Sequence, residues 1–468
     1  MENKLDRGVY DGFKELGTGK MLVLGLQHVF AMFGATVLVP LITGLSVSVT
    51  LFCAGIGTVL FFFITKRKVP IFLGSSFAFL GAFAAVTRDA NGALLEDMLP
   101  YATGGVVCAG VVYLILAALF AIFGAKKVMR LFPPVVTGPI IILIGLVLAP
   151  TGLSSASANW ILALVAIVIM VVCNIFGKGM VKILPILIGI FGAYAVGAII
   201  SLASGNSLFG LPWVDFSGLT VNSAADVVSV PPFFLPKFEW GAIITFVVVA
   251  LASMIEHIGD IAAIGATCSK NYIADPGLSR TLIGDGLATS LAGAIGGPAN
   301  TTYSENTGVV ALTKVYDPKV MFIAAIMAVA LSFLSLFDKF INTIPWSIIG
   351  GMSLVLYGMI SATGVRTLVE NKVDFKKFRN IIIAALIFVV GLGFNAYPLQ
   401  IGAIDPSAYI WLNGVEGGTL INQFPVDSWN FTLSFGGLPM AAIVGIIANA
   451  VLPGKDYEFK TEAETEAA

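Results

Sequence analysis

The chain has 468 residues, 57% of them hydrophobic and only 11% charged, with 51 glycines and a mean hydropathy of +0.95. Those values lie far outside the range of water-soluble globular domains and define a polytopic membrane protein whose first partner is the lipid bilayer. With 26 basic against 27 acidic residues the formal net charge is -1, which excludes the basic footprint that a nucleic-acid partner requires.

The first twenty residues, MENKLDRGVYDGFKELGTGK, are polar, with no apolar core and no small-residue cleavage site. They read as a cytoplasmic segment, not a cleavable signal. Apolar runs of a length near that needed to cross a bilayer follow at 20–43, 47–65, 103–123, 132–151, 159–176, 183–203, 241–264, 282–296, 319–336, 345–362, 380–396 and 434–452. Two further stretches, 71–86 and 302–313, are too short or too polar at one end to cross as ordinary helices. If both cross, the spans number fourteen. With the N-terminus inside, every lysine and arginine except Arg88, Lys237 and Lys339 then falls on the cytoplasmic side, as the positive-inside bias requires. Without those two crossings the intervening loops would change sides and the asymmetry would degrade. The short stretches are therefore expected to span as broken helices with some non-helical backbone.

Long polar loops are expected outside at about 204–240 and 397–433, and the terminal GKDYEFKTEAETEAA is a solvated tail. Cys53, Cys108, Cys173 and Cys268 sit in or beside apolar segments without metal-ligand spacing, so they read as small core residues. No metal, cofactor or redox chemistry is expected.

Residues 131–152, LFPPVVTGPIIILIGLVLAPTG, align without gaps on 343–364, TIPWSIIGGMSLVLYGMISATG, matching Pro133 to Pro345, Gly138 to Gly350 and Thr151-Gly152 to Thr363-Gly364. The offset equals seven spans, an odd number, so the two copies run in opposite directions. The same halves bring GSSFAF (74–79) opposite NTTYSE (300–305) and LQHVF opposite IEHIG. In transporters built from such inverted repeats the ligand sits near the bilayer midplane where broken helices meet, facing freed N-terminal amides. The polar run before Val309 is then the place where backbone leaves the helix, which a membrane tolerates only against protein or a water-filled cavity.

Span eight carries Glu256 and Asp260, four residues apart and so on one helical face. Glu305 opens the broken tenth span. Burying a charge at the bilayer centre costs on the order of 2.5 to 3.5 kcal/mol on insertion scales. Three acids with no Lys or Arg in their spans therefore oppose insertion unless protonated, paired or hydrated. An acid so placed suits proton exchange during transport, and as an acceptor it suits the N–H groups of a neutral planar ligand; the alternative is structural glue between helices. His257, turned about 100 degrees from Glu256 along the helix, and His28 read as hydrogen-bonded packing residues. Asp285, toward the cytoplasmic end of span nine, suits capping, snorkelling or a proton route. Asp275 before Pro276 reads as a helix cap. Phe77 and Tyr303 occupy matching positions at the start of the two broken spans, where rings can stack on a flat heterocycle.

Taken together, LQHVFAMFGATVLVP (26–40), FLGSSFAF (72–79), EHIGD (256–260), NTTYSENTGVVALTKVY (300–316) and GGMSLVLYGMI (350–360) resemble the nucleobase/ascorbate transporter family, and within it the bacterial uracil permeases, from about residue 20 to 452. The resemblance implies an all-α protein with fourteen spans in two inverted repeats of seven, with spans three and ten broken by short antiparallel strands. A core domain would comprise 1–130 (spans one to four) and 241–342 (spans eight to eleven). A gate domain, which also makes a homodimer contact, would comprise 131–240 and 343–455, followed by a cytoplasmic tail at 456–468. The family moves nucleobases with protons. By position, Glu256 and Glu305 match the glutamates that contact the base, and Glu305, Glu256 and Asp260 are the proton-coupling candidates. Phe77 and Ser304 match positions offering backbone amides, Ser304 standing where the most similar permeases have glycine. Ala35, Tyr303 and Tyr357 match pocket-lining positions.

One departure is Asp260, where uracil permeases often have histidine and purine-transporting relatives an aspartate. Against it, xanthine and urate relatives usually carry glutamine at the position of Glu305. The expectation is a uracil:proton symporter of the bacterial cytoplasmic membrane with both termini inside, a xanthine or urate carrier being the alternative. An enzyme is not expected: Asp260 and Asp285 follow Ile-Gly in HIGD and LIGD, not the Gly-x-Gly-Asp of intramembrane aspartyl proteases, and His-Glu-x-x-His is absent. An anion channel or exchanger of the same architecture is disfavoured by acids, not bases, in the site.

Overall fold

The computed structural model describes residues 8–88, 94–128, 130, 133–204, 208–221, 223, 226–396, 399–403, 408–412, 420–422, 433–435 and 437–454. The expected tail at 456–468 and most of the loop at 397–433 lie outside them. Helices follow the apolar runs: α1 (Thr18–Thr43), α2 (Val47–Ile64), α3 (Leu80–Thr87), α4 (Leu99–Phe123), α5 (Pro134–Ser157), α6 (Trp160–Phe176), α7 (Pro185–Ser204), α8 (Trp240–Cys268), α9 (Leu278–Ala294), α10 (Ser304–Thr313), α11 (Lys319–Ser332), α12 (Trp346–Glu370), α13 (Phe378–Ala396) and α14 (Gly437–Val451). Two strands interrupt them, β1 (Leu73–Ser75) and β2 (Asn300–Thr302). Late in the chain Leu399–Ala403, Ala408–Leu412, Leu420–Asn422 and Leu433–Phe435 (β3 to β6) form an antiparallel sheet in the order β5-β4-β3-β6; β3 to β5 fall in the stretch read from sequence as a polar loop and β6 at the start of the apolar run expected from 434.

Among the described residues eight helices are long and apolar enough to cross a membrane, and a ninth span arises if α11 is joined to Ser335–Asn342 across a bend of 81°. The molecule is therefore a mostly helical, polytopic membrane protein. Local chemistry sets the helix ends. The Ser46 hydroxyl accepts from Val49 N at the start of α2, and Asn159 Oδ1 accepts from the amides of Ile161 and Leu162 at the start of α6. Helix α1 stops at Gly44 in the left-handed conformation. Several helices outrun their apolar runs: α8 continues to Cys268 and α12 to Glu370, because backbone hydrogen bonding persists past the last residue that hydropathy favours. Helix α11 stops short at Ser332, where the chain bends.

Helices α5 and α12 form one of the tightest pairs and run antiparallel. A Cβ on Gly145 would lie 2.1 Å from Tyr357 O, and one on Gly364 2.6 Å from Ile142 N, so only glycine permits this approach. Gly138 faces Leu368 while Gly350 faces Ala156, and Gly364 faces Ile142 while Gly152 faces Leu354. Each contact recurs in its partner at the offset that aligns the two sequences.

Strands β1 and β2 pair antiparallel, Leu73 with Thr302, Gly74 with Thr301 and Ser75 with Asn300. The ladder is extended by Ser76 N donating to Ala299 O at 2.8 Å and Tyr303 N donating to Phe72 O at 3.0 Å. It satisfies the backbone groups exposed where the chain leaves the helix, as a membrane interior demands. Past the ladder, a single 3-10 turn (Phe77–Phe79) leads into α3, and Ser304 opens α10 directly after Tyr303. Two short helices thus start from a common strand pair inside an apolar body.

Candidate functional site

Helix α8 packs against the Phe77–Phe79 turn, β2 and α10, which brings Glu256, Asp260, Phe77, Ser304 and Glu305 to one junction. Asp260 is nearly buried, at 8% exposure. Both its oxygens are occupied: Thr302 Oγ1 donates to Oδ2 at 2.7 Å and Ser304 Oγ donates to Oδ1 at 2.6 Å. It ties α8 to the broken tenth span by two charge-assisted bonds. Glu256 and Glu305 are only half-buried. Glu256 makes no hydrogen bond to another described residue, and the carboxyl of Glu305 has only its own backbone amide. Glu256 lies within electrostatic range of Asp260, Glu305 and Asp285. The junction therefore holds one committed carboxylate and two with acceptor capacity to spare.

The neighbouring surface is open. A Cβ on Gly259 of α8 or Gly308 of α10 would meet nothing within 4 Å, and Ala262, Ala263 and Ser304 beside them are exposed. On the far side the Phe77–Phe79 turn is fixed to α8 by a 3.4 Å contact between the hydroxyls of Ser76 and Ser253. Phe77 is half-buried at the head of this turn, available as a ring beside the acids.

Tyr303 is placed differently from its sequence counterpart. Its ring is buried, at 3% exposure, and lies over Gly74. Its hydroxyl donates to Ser75 O at 2.9 Å and accepts from Thr36 Oγ1 at 3.2 Å. The ring buttresses the strand pair against α1 and does not face the opening, so of the two rings expected to stack only Phe77 is presented. Ala35 is likewise buried, and its carbonyl accepts from Ser75 Oγ at 3.3 Å. Tyr357, on α12, belongs to a separate cavity flanked by α1, α3 and α5.

A second polar pair was not anticipated. His257 Nδ1 lies 3.0 Å from Asp285 Oδ2, and both side chains are fully buried. Asp285 therefore neither caps nor snorkels, and the packing role of His257 includes this contact: together they link α8 to α9 beside Glu256. Sequence carried a signal for it, because a buried acid in a span without Lys or Arg leaves histidine as an available polar partner. His28 does fill the hydrogen-bonded packing role expected: Asn306 Nδ2 donates to its carbonyl at 3.1 Å and contacts its Nδ1 at 3.1 Å. Asp275 is not a cap. Helix α9 starts after Gly277, and Asp275 instead pairs with Lys68.

An apolar helical body with two half-helices meeting at a strand pair, and uncommitted acids at their junction, belongs to a solute transporter of the membrane. Two solved structures share the fold. The transmembrane domain of the cyanobacterial bicarbonate transporter BicA superimposes with a TM-score of 0.54 at 16% identity, covering 81% of this chain and 97% of that one. SLC26A9 gives 0.61 at 12% identity, covering 92% and 64%. At such identities the likeness concerns fold alone. Residues 19–400 match the model of the Permease family that includes the xanthine and uracil permeases. The uracil permease of Bacillus caldolyticus is 35% identical over 453 residues, 93% of each chain. That of Bacillus subtilis is 34% identical over 458 residues, 94% of each. The uracil permease of Escherichia coli K12 is 35% identical over 393 residues, 82% of this chain and 86% of that one. The chain belongs to the nucleobase/ascorbate transporter family, and it is a transporter, not an enzyme.

Proposed function

We propose that this protein imports uracil together with protons across a bacterial cytoplasmic membrane, holding the base between Glu256 and Glu305. The observation that carries this reading is that, among the described residues, these two carboxylates are the acids at the junction with no hydrogen bond to another side chain, while both oxygens of Asp260 are engaged. A neutral pyrimidine presents ring N–H donors alternating with carbonyl acceptors. Glu256 accepts from one ring N–H and Glu305 lies on the opposite edge. The amides at Phe77 and Ser304, first in their helical segments and so without intrahelical acceptors, donate to the carbonyl oxygens. Phe77 covers one face of the ring. Glu305, Glu256 and Asp260 are the groups through which a proton would be taken up and released.

Uracil is preferred because it names the relatives that match nearly the whole chain. The purine signal from Asp260 loses force: its partner Ser304 is itself a departure from the usual glycine, so the two departures satisfy each other at 2.6 Å. The matched contacts of α5 with α12, and the self-complementary ladder of β1 with β2, support fourteen spans arranged as two inverted repeats of seven. On that plan residues 1–130 and 241–342 form a core that moves against a gate of 131–240 and 343–455. Both termini are cytoplasmic, and a second copy docks on the gate. Alternating access then exposes the junction to either side in turn.

The test is uptake of labelled uracil into proteoliposomes with an imposed pH gradient. Glu256→Gln should lower uptake by about ten- to a hundredfold, consistent with loss of a charge-assisted contact in a dry site, without loss of membrane insertion. A protonophore should abolish accumulation, and excess xanthine should compete only weakly. Undiminished uptake by the glutamine variant removes the assignment; strong competition by xanthine moves the substrate to the purines.

A further inference from the structure

Ahead of α1 the chain forms a short strap, residues 8–16, whose contacts reach the ends of both helices that carry the unpartnered acids. Val9 pairs in parallel with Val315, just past α10: Val9 N donates to Lys314 O at 2.8 Å and Tyr316 N donates to Val9 O at 2.7 Å. Both valines are buried. One residue on, the Tyr10 hydroxyl donates at 2.8 Å to the carbonyl of Cys268, the last residue of α8. The Tyr10 ring stands edge-on to Tyr316 with centroids 5.2 Å apart, and the Lys270 ammonium lies 4.4 Å from its centre. A single helical turn (Gly12–Glu15) then meets two further helices. Gly12 N donates to Asp317 Oδ2 at 2.9 Å, and Asp317 Oδ1 accepts from Lys319 N at 3.0 Å at the start of α11. A Cβ on Gly12 would lie 2.2 Å from Met21 Sδ of α1, so the turn sits directly on that helix.

The need for such a fastening lies in α10. It has ten residues, about 15 Å of helix, and one side of it is open: a Cβ on Gly308 would meet nothing within 4 Å, and Ala311 and Leu312 are exposed. Its first turn is tied by Ser304 to Asp260 and by Asn306 to His28. Its far end is tied by the strap, through Lys314 O and Val315. A helix fixed only at its start can pivot there. Fixed at both ends, it keeps its first-turn groups, Glu305 among them, at a set distance from α8, as a binding constellation requires.

We propose that the strap is a clamp holding the end of α10 to the end of α8, which makes Val9 and Tyr10 positioning residues for Glu305. Resting on the reading above, the clamp sets the spacing of Glu256 and Glu305 across the base. Neither residue touches the ligand; both act through the helix they fasten.

The experiment compares the full-length parent with Val9→Pro, which deletes the amide donor of the bridge. Two quantities are followed: labelling of Cys268 by a maleimide in detergent, located by peptide mass, and uracil uptake into proteoliposomes. Cys268 is fully buried beside the Tyr10 contact. It should be protected in the parent and label at least about tenfold faster in Val9→Pro, as the strap lifts by local opening. The half-saturating uracil concentration should rise about tenfold, the worth of one positioning hydrogen bond, while maximal uptake per folded protein holds within about twofold. A merely structural strap would lower folded yield and maximal uptake and leave half-saturation unchanged; that result overturns the proposal. So does a Cys268 that stays protected in Val9→Pro. Val9→Ala keeps the amide and should keep the parent's half-saturation whatever it costs in stability; a rise equal to that of Val9→Pro removes the bridge from the clamp. A parent chain that accumulates no uracil defeats the central reading. The clamp is then judged on Cys268 alone, protected in the parent and labelled in Val9→Pro.

Discussion

The crossing of α5 with α12 and the crossing of the two half-helices at β1 and β2 solve opposite problems in the same apolar body. At the first, backbone lies against backbone through Gly138, Gly145, Gly350 and Gly364, with a side-chain hydrogen bond between the helices from Ser361 Oγ to Ile142 O at 2.9 Å. At the second, the chain abandons the helix, and every step is held by hydrogen bonds: Asp260 to Thr302 and Ser304, Tyr303 to Ser75, Thr289 to the carbonyl of Asn300 at 2.9 Å, and Asn300 to the carbonyl of Cys53 at 3.0 Å. In lipid the hydrophobic effect does little to hold one helix to another, so close packing and hydrogen bonding must carry association between them. The first region uses shape and is rigid by contact. The second uses polarity: Asp260 is spent on Thr302 and Ser304, while Glu256 and Glu305 are the carboxylates there with no hydrogen bond to another described side chain, and so stand out as groups meant for something else.

The largest effect should follow from breaking the shape-based crossing. Gly145→Leu places its Cβ where it meets Tyr357 O at 2.1 Å and Ser361 Oγ at 2.3 Å, a clash with backbone that cannot be relieved by a rotamer change. We expect a loss of about 3 kcal/mol or more of stability, read as a collapse of the thermal midpoint in detergent and of folded yield. Gly81→Ala is the matched control: a Cβ there meets nothing within 4 Å, so the midpoint should hold or rise slightly, alanine being the better helix former. Equal behaviour of the two variants would mean that the close approach of α5 and α12 does not exist.

Next comes the polar crossing. Asp260→Ala removes the acceptor of two charge-assisted bonds and strands the hydroxyls of Thr302 and Ser304. Bonds to charged groups contribute about 1.5 to 3 kcal/mol each. The midpoint should therefore fall by the equivalent of about 3 kcal/mol, and uptake should fall with it as the start of α10 loosens. A variant with the parent midpoint and reduced uptake would instead make Asp260 a direct ligand of the base and dissolve the contrast between committed and uncommitted acids.

Much of this was legible from residue order, for physical reasons that differ between the two regions. Apolar runs mark the spans because lipid reads length and hydropathy directly, and the match of 131–152 to 343–364 anticipated a pair of opposed helices whose contacts prove to be symmetric. The break at 300–303 was visible as a polar run where a helix should continue; the strand pairing itself came from resemblance, since three-residue strands have no periodicity to detect. What escaped was direction. Tyr303 and Phe77 occupy equivalent sequence positions, yet one ring is buried against Thr36 and Ser75 while the other is half-exposed. The partner of His257 lies on another helix, at Asp285, and no spacing within α8 points to it. Rotations about a helix axis and contacts between helices are settled by packing, which local sequence does not encode.

The smallest effect isolates what the membrane contributes. Asp275 pairs with a lysine, Lys68, but both side chains are substantially exposed, at 65% and 42%, in loops outside the spans. The hydrogen bond from Lys68 is the main reason the Asp275 carboxyl is held below the usual aspartate range. A carboxyl so depressed contributes its stabilisation fully above its unfolded pKa, about 3.9, and loses it as pH falls through the lower folded value. Between pH 5 and 8 the pair should therefore be constant. Water and salt screen it heavily, so Asp275→Asn should shift the thermal midpoint by no more than about 1 °C at pH 7, and by less in high salt. A shift as large as that of Asp260→Ala would imply that an acid counts for as much in water as at the junction. The distinction between aqueous loop and buried crossing would then fail, and with it the reason for assigning function to Glu256 and Glu305 on the strength of their unused acceptors.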